Sequence, residues 1–332
     1  MTVAGIPNTV GAMNRIRPTT IRLEASSFCQ LRCPSCPTTT GAIDAAIGRG
    51  FLRFEDFRDL VDRNPQLKRI ELSNYGEAFL NPSLLVILEY ADRKGIAIAL
   101  ENGANLNHAK DEVLEGLVKH RVRLLTCSID GASPETYRKY RERGDFDTVI
   151  RNVERINHYK HAHASEFPRL KWQFVVFGHN EHEIPLAREM AARLGMSFRA
   201  KISWDKDFSP VRDGAFVRAQ TGEQALTREE YEGIHGKKYA SGICHQLWDE
   251  PQVNWNGKVL GCCRNFWGDF GSNAFSEGLA ESINNEKMVY AREMLRGRKP
   301  ARADIPCTTC EMYDAMQSRE RWLTRSSDLL ET

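Results

Sequence analysis

From residue 20 onward the chain alternates short β-branched runs with longer stretches of helical spacing, and that alternation is the strongest constraint on its fold. TIRLEAS (20–26) and LKRIELS (67–73) read as strands. PSLLVILEYADRKG (82–95) has helical spacing and closes on a glycine stop. IAIALE (96–101), a helix near 110–120 and VRLLTCSID (122–130) follow. A helix opens at ASPETYRKY, with Ser133 as N-cap and Pro134 at its first position. LKWQFVVF (170–177) and MSFRAKIS (196–203) are further strands, with the helical HEIPLAREMAARLG (182–195) between them. Strands joined by helical crossovers pair in parallel through right-handed βαβ units. Six such units predict an α/β fold, a partial (β/α)6 TIM-like barrel or an open sheet rather than a closed eight-strand barrel, with ligands in either case at the C-terminal ends of the strands.

The alternation stops after Ser203, which divides the chain into three predicted parts: a barrel core over 18–203, a polar, turn-rich segment over 204–243 that covers the mouth or links domains, and a C-terminal region over 244–320. In the last, VNWNGKVLGCC (253–263) holds Asn256-Gly257 between two strand-like runs, a hairpin signal, and a helix follows near 284–297. A net charge of +2 argues against nucleic acid as a partner. The most basic stretch, Arg292 to Arg302, lacks interleaved aromatics and reads as a solvated helix end. The opening residues have no apolar h-region, and no run of about 18 apolar residues exists to span a membrane. A cytoplasmic protein is expected, and its nine cysteines are then metal ligands or catalytic thiols rather than disulfides.

Three of those cysteines, Cys29, Cys33 and Cys36, form a C-x3-C-x2-C run directly after the first strand. Structural zinc takes four closed ligands, whereas three thiolates on one loop can hold three irons of a [4Fe–4S] cluster and leave the fourth open. The run resembles the signature of the radical S-adenosylmethionine (SAM) enzymes. The resemblance implies that the open iron chelates the SAM amine and carboxylate, and that an electron, from a flavodoxin- or ferredoxin-type donor, releases a 5′-deoxyadenosyl radical that takes a hydrogen atom from the substrate. Asn74-Tyr-Gly-Glu-Ala resembles the family's glycine–glutamate segment, so Gly76 and Glu77 are expected at the SAM amine. ENGANL (101–106), with Asn102, and CSIDG (127–131), with Ser128 and Asp130 on one face, resemble the segments after strands three and four. Arg141 resembles an arginine facing the SAM carboxylate. Blander roles for Asn102, Ser128 and Arg141 are a turn former, a core-edge hydroxyl and a solvated charge. The chain departs from the family pattern at Ser35, where an aromatic usually precedes the third cysteine, so adenine stacking has to come from elsewhere.

Five more cysteines, Cys244, Cys262, Cys263, Cys307 and Cys310, lie in the C-terminal third. Gly257-x4-Cys262 is similar to the opening of the auxiliary-cluster region in the SPASM and twitch branches. Five cysteines are too few for the two clusters of a full SPASM region and suit one auxiliary [4Fe–4S] cluster on Cys244, Cys262, Cys307 and Cys310. This set is similar to that of the twitch enzyme that oxidises an aminocyclitol alcohol in aminoglycoside biosynthesis. Zinc on the same four residues is the alternative, as is Cys263 in place of Cys262. Cys263 is otherwise a packing residue or a thiol that returns a hydrogen atom to a substrate radical, and Cys127 packs against the helices.

A fully ligated second cluster suits electron transfer, which predicts dehydrogenation of an alcohol on a small polar substrate, a sugar or aminocyclitol, without nicotinamide. Glu24, Glu101, Lys201 and Asp205 are the candidate bases for the hydroxyl proton. Arg22 and Glu24 share a face, and with Glu101 and Asp130 they predict an acid-rich mouth suited to an amine-bearing substrate. Redox-neutral epimerisation of a sugar or nucleoside, ribosomal-peptide maturation and a non-catalytic metal-binding role are the alternatives. About 19 residues precede the first strand, too few for a peptide-recognition domain there.

Overall fold

The computed structural model describes residues 15–324, and most of the opening segment read for a signal peptide lies outside them. Six strands run in chain order: β1 (Thr20–Leu23), β2 (Arg69–Glu71), β3 (Ala97–Ala104), β4 (Leu124–Ser128), β5 (Arg169–Val176) and β6 (Met196–Ile202). Each pairs in parallel with the next, from Thr20 opposite Arg69 to Val176 opposite Ile202. This is the expected partial barrel, and the reason is visible in the side-chain alternation. On β5, Leu170, Trp172, Phe174 and Val176 are buried against the helices, while Lys171, Gln173 and Val175 turn to the other face, the lumen. On β6, Phe198 and Ala200 pack into the main core, which leaves Arg199 and Lys201 on the lumen face.

The predicted cap at Ser133 forms, its hydroxyl accepting the Thr136 N–H at 3.3 Å, and the helix runs over Pro134–Tyr140. Two long helices that the sequence reading did not single out, Phe54–Arg63 and Phe146–Ala162, cover the outside of the sheet. Among the described residues no helix is long and apolar enough to cross a membrane.

Two features differ from the expectations for the last third. The segment 204–243 is not irregular throughout: helices form over Gly214–Thr221 and Arg228–His235, capped by Asp213 and Thr227. Both are short and largely solvated, so they carry little apolar periodicity to read. The Asn256-Gly257 hairpin is also more than an appendage. Its strands, β7 (Gln252–Val253) and β8 (Val259–Gly261), join the barrel's own sheet, giving the order β6-β5-β4-β3-β2-β1-β7-β8. β7 lies parallel to β1, with Arg22 opposite Gln252, and β8 returns antiparallel to β7. Gly257 makes the turn at φ 87°, and a Cβ there would stand 2.2 Å from the Asn273 side-chain oxygen.

Candidate functional site

Each loop leaving the C-terminal end of β1 to β5 contributes to one site. The loop after β1 carries Cys29, Cys33 and Cys36, which pack with Leu31, Tyr140, Phe177 and Phe208. Two polar groups reach its sulfurs: Asn105 Nδ2 stands 3.8 Å from Cys29 Sγ, and Arg141 Nη1 stands 3.7 Å from Cys33 Sγ. Arg141 is fixed by Asp130 at 2.6 Å, and Asp130 also accepts the Val175 N–H at 2.7 Å. Asn105 is fixed by Gln30, whose amide donates to its oxygen at 2.7 Å. Burial, then the nearby Glu77, pushes the Cys29 thiol up to about 12, with Cys33 and Cys36 adding to the shift. Three thiols in one packing cluster suit iron, which binds them as thiolates.

The turn after β2 is held from below. Glu24 accepts the backbone N–H of Tyr75 at 3.0 Å and of Gly76 at 3.3 Å. Gly76 approaches β1 so closely that a Cβ would lie 2.0 Å from the Ser26 carbonyl oxygen. Glu77 turns inward, accepting the N–H of Phe79 at 3.1 Å and of Asn105 at 2.6 Å. Burial lifts the Glu24 carboxyl to about 8 and the Glu77 carboxyl to about 7, against those hydrogen bonds. Asn102 donates to Asn74 Oδ1 at 2.8 Å, and Gly103 leaves room for the Ser128 hydroxyl, 2.3 Å from where its Cβ would be.

Aromatic rings do gather beside the three cysteines, though not at Ser35. Tyr140, Phe177 and Phe208 lie with ring centroids 4.6 to 5.4 Å apart beside the three cysteines, and Phe177 stacks on His179. Ser35 instead donates to Asp205 at 2.5 Å, and Asp205 accepts the N–H groups of Asp207 and Phe208. These rings come from three separate segments, so no local motif announces them. Glu71 was also missed, although it follows Arg69 by alternation. It is buried and accepts from Ser73 and from the N–H groups of Glu101 and Asn102.

The second cysteine set also converges. Cys244, Cys262, Cys307 and Cys310 line one pocket with Leu247, Leu260, Phe270, Leu295 and Tyr313. Burial pushes the Cys307 thiol well up, and Cys262, Cys244 and Cys310 are its next contributors. Four thiols around an apolar pocket fit a fully ligated cluster. Among the described residues no three His, Cys, Asp or Glu side chains gather closely enough for a single metal ion, and a four-iron cube sets its ligands wider. Cys263 does not line that pocket. Its N–H donates to Gln246 at 2.8 Å, and Arg22 and Lys201 are among its charged neighbours. Cys127 is fully buried in the main core.

The strand directions lead Cys29 and Cys262 apart. Cys29 follows the C-terminal end of β1, whereas β8 runs against β1 and carries Cys262 back toward the N-terminal end. The lumen between them holds the four candidate bases differently. Glu24 and Asp205 are engaged as described, and Glu101 pairs with Arg69 at 2.5 Å. The Lys201 side chain has no hydrogen-bond or ion-pair partner among the described residues, its backbone being part of the β5–β6 pairing. Arg22 pairs with Glu250 at 3.4 Å. The acids expected to make the lumen attractive to an amine are thus already partnered.

A partial barrel whose C-terminal face gathers three thiols on one loop is the scaffold of an enzyme that binds SAM on an iron–sulfur cluster. Residues 23–186 match the model of the Radical SAM superfamily, and the chain is a member of that superfamily. Its relative from Methanosarcina barkeri, an AdoMet-dependent heme synthase, is 27% identical over 180 residues, 54% of this chain and 48% of that protein. The chain thus spans about half the length of the curated relative it matches. Streptococcus suis SuiB bound to S-adenosylmethionine superposes with a TM-score of 0.62 at 13% identity, over 93% of this chain and 76% of SuiB. SuiB bound to precursor peptide SuiA gives 0.63 at 13% identity, over 91% and 72%. At that identity the likeness is one of fold. Membership implies a [4Fe–4S] cluster and SAM, and the loop at Cys29, Cys33 and Cys36 fits both.

Proposed function

We propose that the chain is a radical SAM oxidoreductase that dehydrogenates an alcohol on a small polar substrate, such as a sugar or aminocyclitol, held in the barrel lumen. The observation that carries this reading is the second thiol set, Cys244, Cys262, Cys307 and Cys310, around one apolar pocket, separate from the loop of Cys29. When loaded, the first centre with SAM supplies hydrogen-atom abstraction and the second supplies an acceptor for one electron. The chain's own residues do the rest. Glu24, Gly76 and Glu77 shape the turn offered to the SAM amine. Arg141, anchored on Asp130, offers the cation for its carboxylate, and Tyr140, Phe177 and Phe208 offer rings for the adenine. An acidic flavodoxin- or ferredoxin-type protein is the proposed electron source.

The test is anaerobic reconstitution followed by iron counting, 5′-deoxyadenosine detection and product mass. The reading expects about eight irons in wild type and about four in a Cys307→Ala/Cys310→Ala variant that still cleaves SAM. A wild type with about four irons ends the redox half of the proposal.

Cys263 favours a second reading. It does not line the thiol pocket, and Arg22, Glu250 and Lys201 are its charged neighbours, which supports a role for its thiol in returning a hydrogen atom in a redox-neutral epimerisation. Turnover in D2O separates the two: deuterium fixed at a product carbon supports epimerisation, and a product two hydrogens lighter supports dehydrogenation.

A further inference from the structure

The charges left without partners in the lumen are positive. Lys201, near the end of β6, lies on the lumen face, and its backbone is opposite Val175, the residue whose N–H binds Asp130. Its charged neighbours are Arg228, Arg199, Asp130 and Cys263. Asp130 is already held by Arg141, so it is not a free counterion. Arg228 opens the helix Arg228–His235 and lies over the Tyr239 ring at 5.0 Å. Its Nε is buried with no hydrogen-bond partner. Glu311 and Glu229 are its nearest acids, but Glu311 is paired with Arg264 and Glu229 with Lys206. Arg264, next along, has a buried Nε that is also unpartnered.

Lys201 and Arg228 are half-buried, and cations withdrawn from water are normally paired, because the interior does not replace the water they lose. Burial and the neighbouring arginines accordingly hold Lys201 below its ordinary value. A lysine and an arginine within electrostatic reach of each other, with no unpaired acid to neutralise them, suit a phosphate or carboxylate receptor, the guanidinium supplying a planar fork and the ammonium a point charge. We propose that Lys201 and Arg228 bind an anionic group of the substrate, a phosphate or a carboxylate, in the lumen between the two thiol centres. This rests on the lumen being the substrate chamber, and it names the substrate class: an anionic polyol rather than an amine. Lys201 is then a charge receptor and not a base.

The test uses the reconstituted, SAM-loaded protein and isothermal titration with inorganic phosphate, pyrophosphate, acetate and malonate. The first two probes report a phosphate receptor and the last two a carboxylate receptor. Saturable binding of one pair is expected. It should weaken at least about tenfold in Lys201→Met and in Arg228→Met, as for loss of one charge-assisted hydrogen bond. Lys201→Arg and Arg228→Lys keep the charge and should keep the binding, as should the surface control Arg193→Met. No saturable binding by any probe, or equal binding in the two methionine variants, overturns the proposal. If the charge-keeping variants bind as poorly as the methionine ones, a receptor is likewise ruled out. The 5′-deoxyadenosine and iron assays report independently, so a failed anion site leaves the dehydrogenase reading standing, and a failed dehydrogenase leaves the binding result interpretable.

Discussion

Glu24 holds the turn that carries Gly76 and Glu77, and its burial makes it a source of pH-dependent stability. Its carboxyl is lifted from 4.5 to about 8, so the folded chain keeps a proton that the unfolded chain releases. That contribution is fully present below pH 4.5 and is lost as pH rises through about 8. Anaerobic urea denaturation from pH 5 to 8 is expected to show stability falling with pH, and Glu24→Gln to flatten the slope. Gly76→Ala pushes a methyl into the Ser26 carbonyl. We expect it to destabilise by about 1–3 kcal/mol and to abolish SAM binding, measured by denaturation and by equilibrium dialysis. Cys262→Ser should lower iron content, whereas Cys263→Ser should leave it unchanged, because only the former sits in the thiol pocket. Thiol spacing made Cys29, Cys33 and Cys36 legible from the sequence. The state of Glu24 was not, since its partners at Tyr75 and Gly76 come from another loop.

At the scale of elements, the cap at Ser133 sets the helix Pro134–Tyr140, and Arg141 follows as that helix ends. Ser133→Ala should cost about 1 kcal/mol in urea denaturation. It should also weaken SAM binding, because Arg141 rides on the helix it caps. The six strands over 20–203 and several of the helices between them were legible because each has one apolar face of fixed period, whereas the helices Phe54–Arg63 and Phe146–Ala162 were not singled out. The helices Gly214–Thr221 and Arg228–His235 were not, because both are short and mostly solvated. The aromatic group of Tyr140, Phe177 and Phe208 was hidden for a different reason: alternation reveals a face, but not which faces meet across separate loops.

For the whole molecule, the hairpin seals one side of the barrel's sheet, pairing β7 with β1. A chain cut after residue 203 leaves β1 as a bare edge, open to pairing between molecules. That fragment is expected in the insoluble fraction and the full chain in the soluble one, checked by sedimentation of freshly made protein. The Asn256-Gly257 signal gave away the hairpin, but nothing local says which strand it will lie against, since register depends on the partner. The shared sheet also acts as a ruler. β1 is four residues long, about 13 Å at the usual rise; Cys29 follows its C-terminal end, and β8 runs back toward its N-terminal end before Cys262. The offset between the two loops is therefore written into backbone hydrogen bonding, and a molecule held between them would be measured by height before it was recognised by shape.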